Sequence, residues 1–137
     1  MLKPTLEAKI RYRIKRGKAS AYVPSDFSDL SKRDQVGRVL RKMVRNRELI
    51  KAGQGIYVRT QESIIDGGII PEKDLRTVVE EAFSKLKIKI LPTKAEKDYS
   101  EGKTTQIPTG RMIGVNKRVS RTIGYNGRFM KYEQVTR

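Results

Sequence analysis

Residues 32–59 read KRDQVGRVLRKMVRNRELIKAGQGIYVR, with nine Lys or Arg against two acids. Guanidinium and ammonium groups bind phosphate, and arginine or glutamine can read base edges in a DNA groove. Lys32, Arg33, Gln35, Arg38, Arg41, Lys42 and Arg45 are candidate DNA contacts on one segment. Lys51, Gln54 and Arg59 follow, in and around a Gly-Gln-Gly turn. Gln35 suits adenine and Arg38 guanine, whereas Arg41, Lys42 and Arg45 suit phosphates. A second candidate basic surface comprises Arg111, Lys117, Arg118, Arg121, Arg128 and Lys131, within residues 102–131, which hold no acid.

Other chemistries have less to work with. The chain has no histidine and no cysteine. The usual general base, thiolate metal ligands and disulfides are therefore excluded. Asp66, Glu72, Asp74, Glu80 and Glu81 cluster in sequence. They lack the spacing of a metal-dependent nuclease, in which an Asp is followed one strand later by Glu-x-Lys. Glu80 and Glu81, adjacent on a helix, point about 100° apart. These acids read as a solvated face and as helix-start charges. No catalytic residue, metal or cofactor is expected, and the protein is read as not an enzyme. Tyr125, Phe129 and Tyr132 lie among the C-terminal cations. Aromatics on a basic sheet can stack on unpaired bases, so an RNA-binding module is the alternative. Ordinary strand packing is the more common reason for such aromatics, since Phe and Tyr favour sheets.

The bulk composition agrees with a polyanionic partner. Of 137 residues 34% are charged, and the formal net charge is +16. Residues 1–60 carry net +11, residues 61–101 net −2 and residues 102–137 net +7. Two basic ends around a near-neutral middle predict two basic surfaces, with nucleic acid the simplest partner and a membrane surface the competitor. No apolar run approaches the roughly 20 residues of a spanning helix. The N-terminal MLKPTLEAKIRYRIK lacks the apolar region of a signal peptide. A cytoplasmic location with no membrane partner is expected.

These side chains need elements to hold them. Leu6, Ile10 and Ile14 recur at a spacing of four in residues 5–16, predicting an amphipathic helix that stops near Gly17. A short extended piece at Ala21 and Val23 precedes a brief helix from Pro24 to Leu30. Ser31 is a candidate N-cap, with Asp34 completing an approximate capping box. Val36, Val39, Leu40, Met43 and Val44 then form one stripe of a helix over 32–46, with the cations opposite. The turn at 53–55 joins two strands, and Gly53 and Gly55 are the residues suited to positive φ. Residues 60–74 read as a linker or turn region. Leu75, Val78, Val79, Ala82, Phe83 and Leu86 give another helical stripe. A strand at IKIL, a helix in TKAEKDYSEG, an extended KTTQIP and strands in RMIGV, RTIGY and RFMKYE follow. The last two strands flank Asn126-Gly127, a hairpin signal.

The order helix, short helix, basic helix, hairpin is that of a winged helix-turn-helix, whose third helix enters the major groove. The expected class is α+β. A winged helix-turn-helix occupies residues 1–60, a linker 61–73, and a small α+β lobe with antiparallel strands 74–137.

Two stretches carry a family resemblance. VGRVLRKMVRNRELIKAGQGIYV is similar to the helix and G-x-G-x-Y hairpin of winged-helix antitoxins of AbiEi type, from bacterial abortive-infection toxin–antitoxin systems. KTTQIPTGRMIGVN and SRTIGYNGRFMKYE resemble the family's S/T-T-Q-x-P stretch and the strands after it. The resemblance implies a transcriptional regulator that binds double-stranded DNA at its own promoter. It also implies a C-terminal lobe that counters a cognate toxin, directly or indirectly. Here that lobe is reduced to about 65 residues, so the resemblance is to a short subgroup. The oligomeric state is open, with a dimer on DNA one arrangement.

Overall fold

Thr5 starts the first helix, α1 (Leu6–Arg16), with its hydroxyl accepting a hydrogen bond from the Ala8 amide at 3.1 Å. The computed structural model describes residues 4–108, 110–125 and 127–135. It is mixed α+β and divides into two compact units, Met1–Asp74 and Leu75–Arg137.

In the first unit α1 stops at Gly17, whose φ of −72° is ordinary. The glycine serves a different need there, because a Cβ would collide with the Tyr22 hydroxyl. Strand β1 (Ala21–Tyr22) leads into a single 3-10 turn over Pro24–Phe27, shorter than the helix expected to Leu30. Next comes α2 (Arg33–Arg45). Its N-cap is Lys32, not Ser31, and no side chain caps it, so the expected capping box is absent. Ile10, Ile14, Tyr22, Phe27, Val36, Leu40, Met43, Leu49 and Tyr57 close into one apolar core. Burying side chains of this size stabilises by about 1.5–3 kcal/mol each.

Strands β2 (Leu49–Gly53) and β3 (Ile56–Glu62) pair antiparallel, with Lys51 opposite Tyr57 and Gly53 opposite Ile56. The register slips between Lys51 and Gly53, which leaves Ala52 as the extra residue, buried in the core. Gly55 takes φ +72°; Gly53, expected to share this, does not and serves as a strand residue. β3 also pairs with β1 through Tyr22–Tyr57 and Ala21–Val58.

Residues 60–74, expected to be a linker or turn region, hold a turn between two paired strand segments. Thr60, Gln61 and Glu62 pair antiparallel with Pro71, Ile70 and Ile69 of β4 (Ile69–Pro71). The β-branched isoleucines fit a strand, and Gly67, at φ +73°, closes the connecting turn. This pairing runs beyond Leu49, the β2 residue opposite Arg59, so the two strands leave the sheet as a ribbon.

The second unit begins with α3 (Leu75–Lys85), which buries Val78, Val79, Ala82 and Phe83. Strand β5 (Ile90–Leu91) and helix α4 (Lys94–Ser100) follow. Thr93 and Glu96 form a reciprocal capping box at the start of α4. Residues 103–108, expected to be extended, join no sheet. Strand β6 (Met112–Val115) pairs antiparallel with β5 and parallel with β9 (Lys131–Gln134). The expected antiparallel sheet is therefore mixed. Gly114 allows the β5 contact, since a Cβ there would meet the Leu91 carbonyl. β7 (Gly124–Tyr125) and β8 (Arg128–Phe129) make a separate antiparallel hairpin. Asn126 lies outside the described residues, while Gly127 takes φ +77°.

Candidate nucleic-acid interface

The stripe of α2 explains where its cations go. Val36, Gly37, Leu40 and Met43 are buried, with Val39 and Val44 partly so. With about 100° per residue, the opposite side carries Arg38, Arg41, Lys42, Arg45 and Gln35 within about 120° of arc. All five are exposed, as are Lys32 and Arg33. Arg38 and Arg45, seven residues apart, lie on one line about 10 Å long. Arg33, Arg38, Arg41 and Arg45 form no ion pair among the described residues.

Two members are less independent. Gly37 lets the Arg41 guanidinium fold back, since a Cβ at 37 would stand 3.0 Å from Arg41 Nη1. Lys42 Nζ donates to Glu7 Oε2 at 3.0 Å, tying α2 to α1. Glu7 also accepts from Arg11 at 2.8 Å, and Arg11 Nε donates to Glu48 at 2.7 Å. Hydrogen bonds from Arg11 and then Lys42 hold the Glu7 carboxyl below its ordinary range. Bonds to Glu48 and then Glu7 raise the affinity of Arg11 for its proton.

The hairpin supplies a smaller set than its sequence implied. Lys51 and Gln54 are exposed on β2 and its turn. Arg59 is 18% exposed and is committed within the first unit. Its Nη1 donates to the carbonyls of Gly17 at 2.6 Å and Ile14 at 3.1 Å, and its Nη2 donates to Glu72 at 2.7 Å. The structure thus gathers Arg38, Arg41, Lys42 and Arg45 on one helix face, with Lys51 and Gln54 on the hairpin, and turns Arg59 inward.

Arg47 joins these candidates and was not anticipated. It follows α2 at φ +63° and is exposed. The Arg47 amide donates to Val44 O and the Glu48 amide to Met43 O, closing the helix. This position usually holds glycine, so no glycine signalled it. A bulky cation in a costly conformation is the only clue that it offers.

In the second unit Arg111, Lys117, Arg118, Arg128 and Lys131 are exposed and Arg121 is half-buried. They lie on several elements: Lys131 on β9, Arg128 on β8, and the others in or beside loops. Of the three aromatics, Tyr132 packs on Phe83 at a centroid distance of 5.7 Å and donates to Arg121 O. Burial pushes its phenol up to about 12. Phe129 is the exposed one.

The clustered acids have structural partners. Glu72 binds Arg59, Glu80 lies 3.8 Å from Arg76, and Asp66 accepts from the Gly68 amide. An open cleft of about 400 Å³ in the second unit presents Glu96, Asp98 and Glu133. Glu96 is bound to Arg76, and Glu133 accepts from the Lys94 amide. No group of three or more His, Cys, Asp or Glu placed to hold a metal occurs among the described residues. Nor, among them, is any helix long and apolar enough to cross a membrane.

Residues 7–136 match a family of unknown function, DUF6088. The chain belongs to that family. No curated protein and no solved structure matches it. Because the family match spans nearly the whole chain, both units are part of what defines DUF6088.

Proposed function

We propose that the first unit is a winged helix-turn-helix and that the protein is a sequence-specific, DNA-binding transcriptional regulator. The observation that carries this reading is the exposed cationic face of α2, opposite a buried stripe and followed at once by a tight hairpin. In this reading α2 lies in the major groove, with Gln35 and Arg38 at base edges. Arg41, Arg45 and Arg47 reach phosphates, and Lys51 and Gln54 follow the duplex from the wing. Lys42 contributes once it leaves Glu7. The AbiEi resemblance extends the proposal to an autorepressor and antitoxin of a toxin–antitoxin or abortive-infection operon, acting in the cytoplasm.

The test is a binding-site selection with the full chain, followed by titrations of the selected duplex. Arg38→Ala should cost about 1–3 kcal/mol and relax preference at one base position. Arg45→Ala should weaken all sequences about equally and reduce the salt slope. Absence of duplex binding at low salt, or unchanged selectivity in Arg38→Ala, would overturn the assignment.

A further inference from the structure

The β3–β4 ribbon ends in an unusual tip. Ile64 and Ile65 are 101% and 92% exposed, and Ile70 on β4 is also exposed. Isolated exposed aliphatics are ordinary, but adjacent ones held at full exposure are not. The tip is built rather than loose. The Ser63 amide donates to Gly68 O at 2.7 Å, the Gly67 amide to Ser63 O at 3.1 Å, and the Gly68 amide to Asp66 Oδ1 at 2.9 Å. These bonds fix the turn that aims the two isoleucines outward.

The charge around the tip is the reverse of the chain's. Residues 60–74 hold four acids and one lysine in a protein of net charge +16. Asp66 follows the isoleucines directly, Glu62 precedes them across Ser63, and both carboxylates are exposed. These carboxylates repel nucleic-acid phosphates and anionic lipid headgroups alike, so the tip suits neither. Its complement is an exposed apolar group framed by cations. One such place is Phe129 on the β7–β8 hairpin, 53% exposed, with exposed Arg128 before it and exposed Lys131 two residues after it in the chain. Gly124 shapes that site, because a Cβ there would strike the Phe129 ring.

We propose that the β3–β4 arm of one chain docks on the β7–β8 hairpin of a second copy, Ile64 and Ile65 covering Phe129 while Glu62 and Asp66 meet Arg128 and Lys131. Each copy carries one arm and one hairpin, so a second copy supplies the complement of each. The interface is small and belongs with transient ones. Contact-range attraction between opposite charges survives physiological salt, which screens the long-range repulsion between two strongly basic chains. DNA is not needed for the contact, so the dimer is independent of the regulatory reading above.

Sedimentation equilibrium of the full chain without DNA, up to about 100 µM, tests the proposal. A concentration-dependent dimer is expected. An Ile64→Ser, Ile65→Ser double variant, its fold checked by circular dichroism, should be monomeric. Glu62→Lys and Arg128→Glu should each raise the dimer dissociation constant about tenfold or more, and combining them should recover most of the loss. A wild-type monomer throughout the range would overturn the proposal. So would a dimer indifferent to the isoleucine changes, or charge reversals whose effects simply add.

Discussion

Arg59 Nη1 lies 2.6 Å from the carbonyl oxygen of Gly17, so a residue of the hairpin's second strand holds the end of the first helix. The same nitrogen takes Ile14 O, and Nη2 takes Glu72 just beyond β4. One planar fork therefore joins α1, β3 and the base of the ribbon. Its cation also faces the negative end of the helix dipole.

Arg59→Ala should destabilise the protein by about 1.5–3 kcal/mol, because it strands carbonyls that a charged donor now satisfies. Arg59→Lys should recover only part of this, since a lysine lacks the planar fork. Urea denaturation of both variants checks it. A neutral Arg59→Ala change in stability would show that the tie is dispensable.

The Lys42–Glu7–Arg11–Glu48 chain makes a prediction about pH. Glu7 is held below its ordinary value of 4.5 by Arg11 and then Lys42. A carboxyl lowered in the folded state contributes stability above its unfolded value and loses it as pH falls through the folded one. Melting temperature should therefore decline as the pH falls below about 4.5. Asp29 and Asp66, lowered by Arg13 and by the Gly68 amide respectively, act in the same direction. Glu7→Gln should melt lower than wild type at pH 7 and lose less on acidification. In the regulatory reading it should also release Lys42 toward the duplex, steepening the salt dependence of DNA binding by up to about 0.9. Identical acid profiles for variant and wild type would remove Glu7 from this account.

Arg47 and Lys87 both end helices in the left-handed region, at φ +63° and +61°. Replacing either by glycine should stabilise the protein by about 0.5–1 kcal/mol, since only glycine takes this conformation without steric cost. In the regulatory reading Arg47→Gly should nevertheless bind DNA more weakly, with a shallower salt slope. Parallel melts and titrations separate the two effects. A variant no more stable than wild type would mean that Arg47 makes compensating interactions at its own site.

Much of the first unit was legible because its signals are local. Val36, Leu40 and Met43 recur at helical spacing, and their burial leaves Arg38 and Arg45 outside. Non-local features were not legible. The ribbon was read as a linker or turn region from its turn residues, Asp66-Gly67-Gly68 and Pro71-Glu72, whereas β3 supplies the pairing. The parallel match of Met112 with Lys131 joins residues far apart in sequence, and no spacing encodes its direction. Arg59 was recognisable as a cation but not as one that turns inward, because its acceptors are backbone carbonyls more than forty residues away.

The hairpin gives the last prediction. Gly53 and Gly55 look alike in sequence, yet only Gly55 takes positive φ. Gly53→Ala should therefore change stability by less than about 1 kcal/mol. Gly55→Val places a β-branched residue in the left-handed region, where the strain distorts the turn and displaces Gln54 and the end of β2. In the regulatory reading Lys51 and Gln54 sit beside the duplex, so this variant should lose more affinity than its melting shift accounts for. Lys51→Ala removes one cation without touching the turn, and should lower the slope of log K against log salt by about 0.9. Salt titrations of the three variants, with melts alongside, decide the matter. Unchanged affinity and slope in folded Lys51→Ala and Gly55→Val would make the hairpin scaffolding and leave α2 to bind alone.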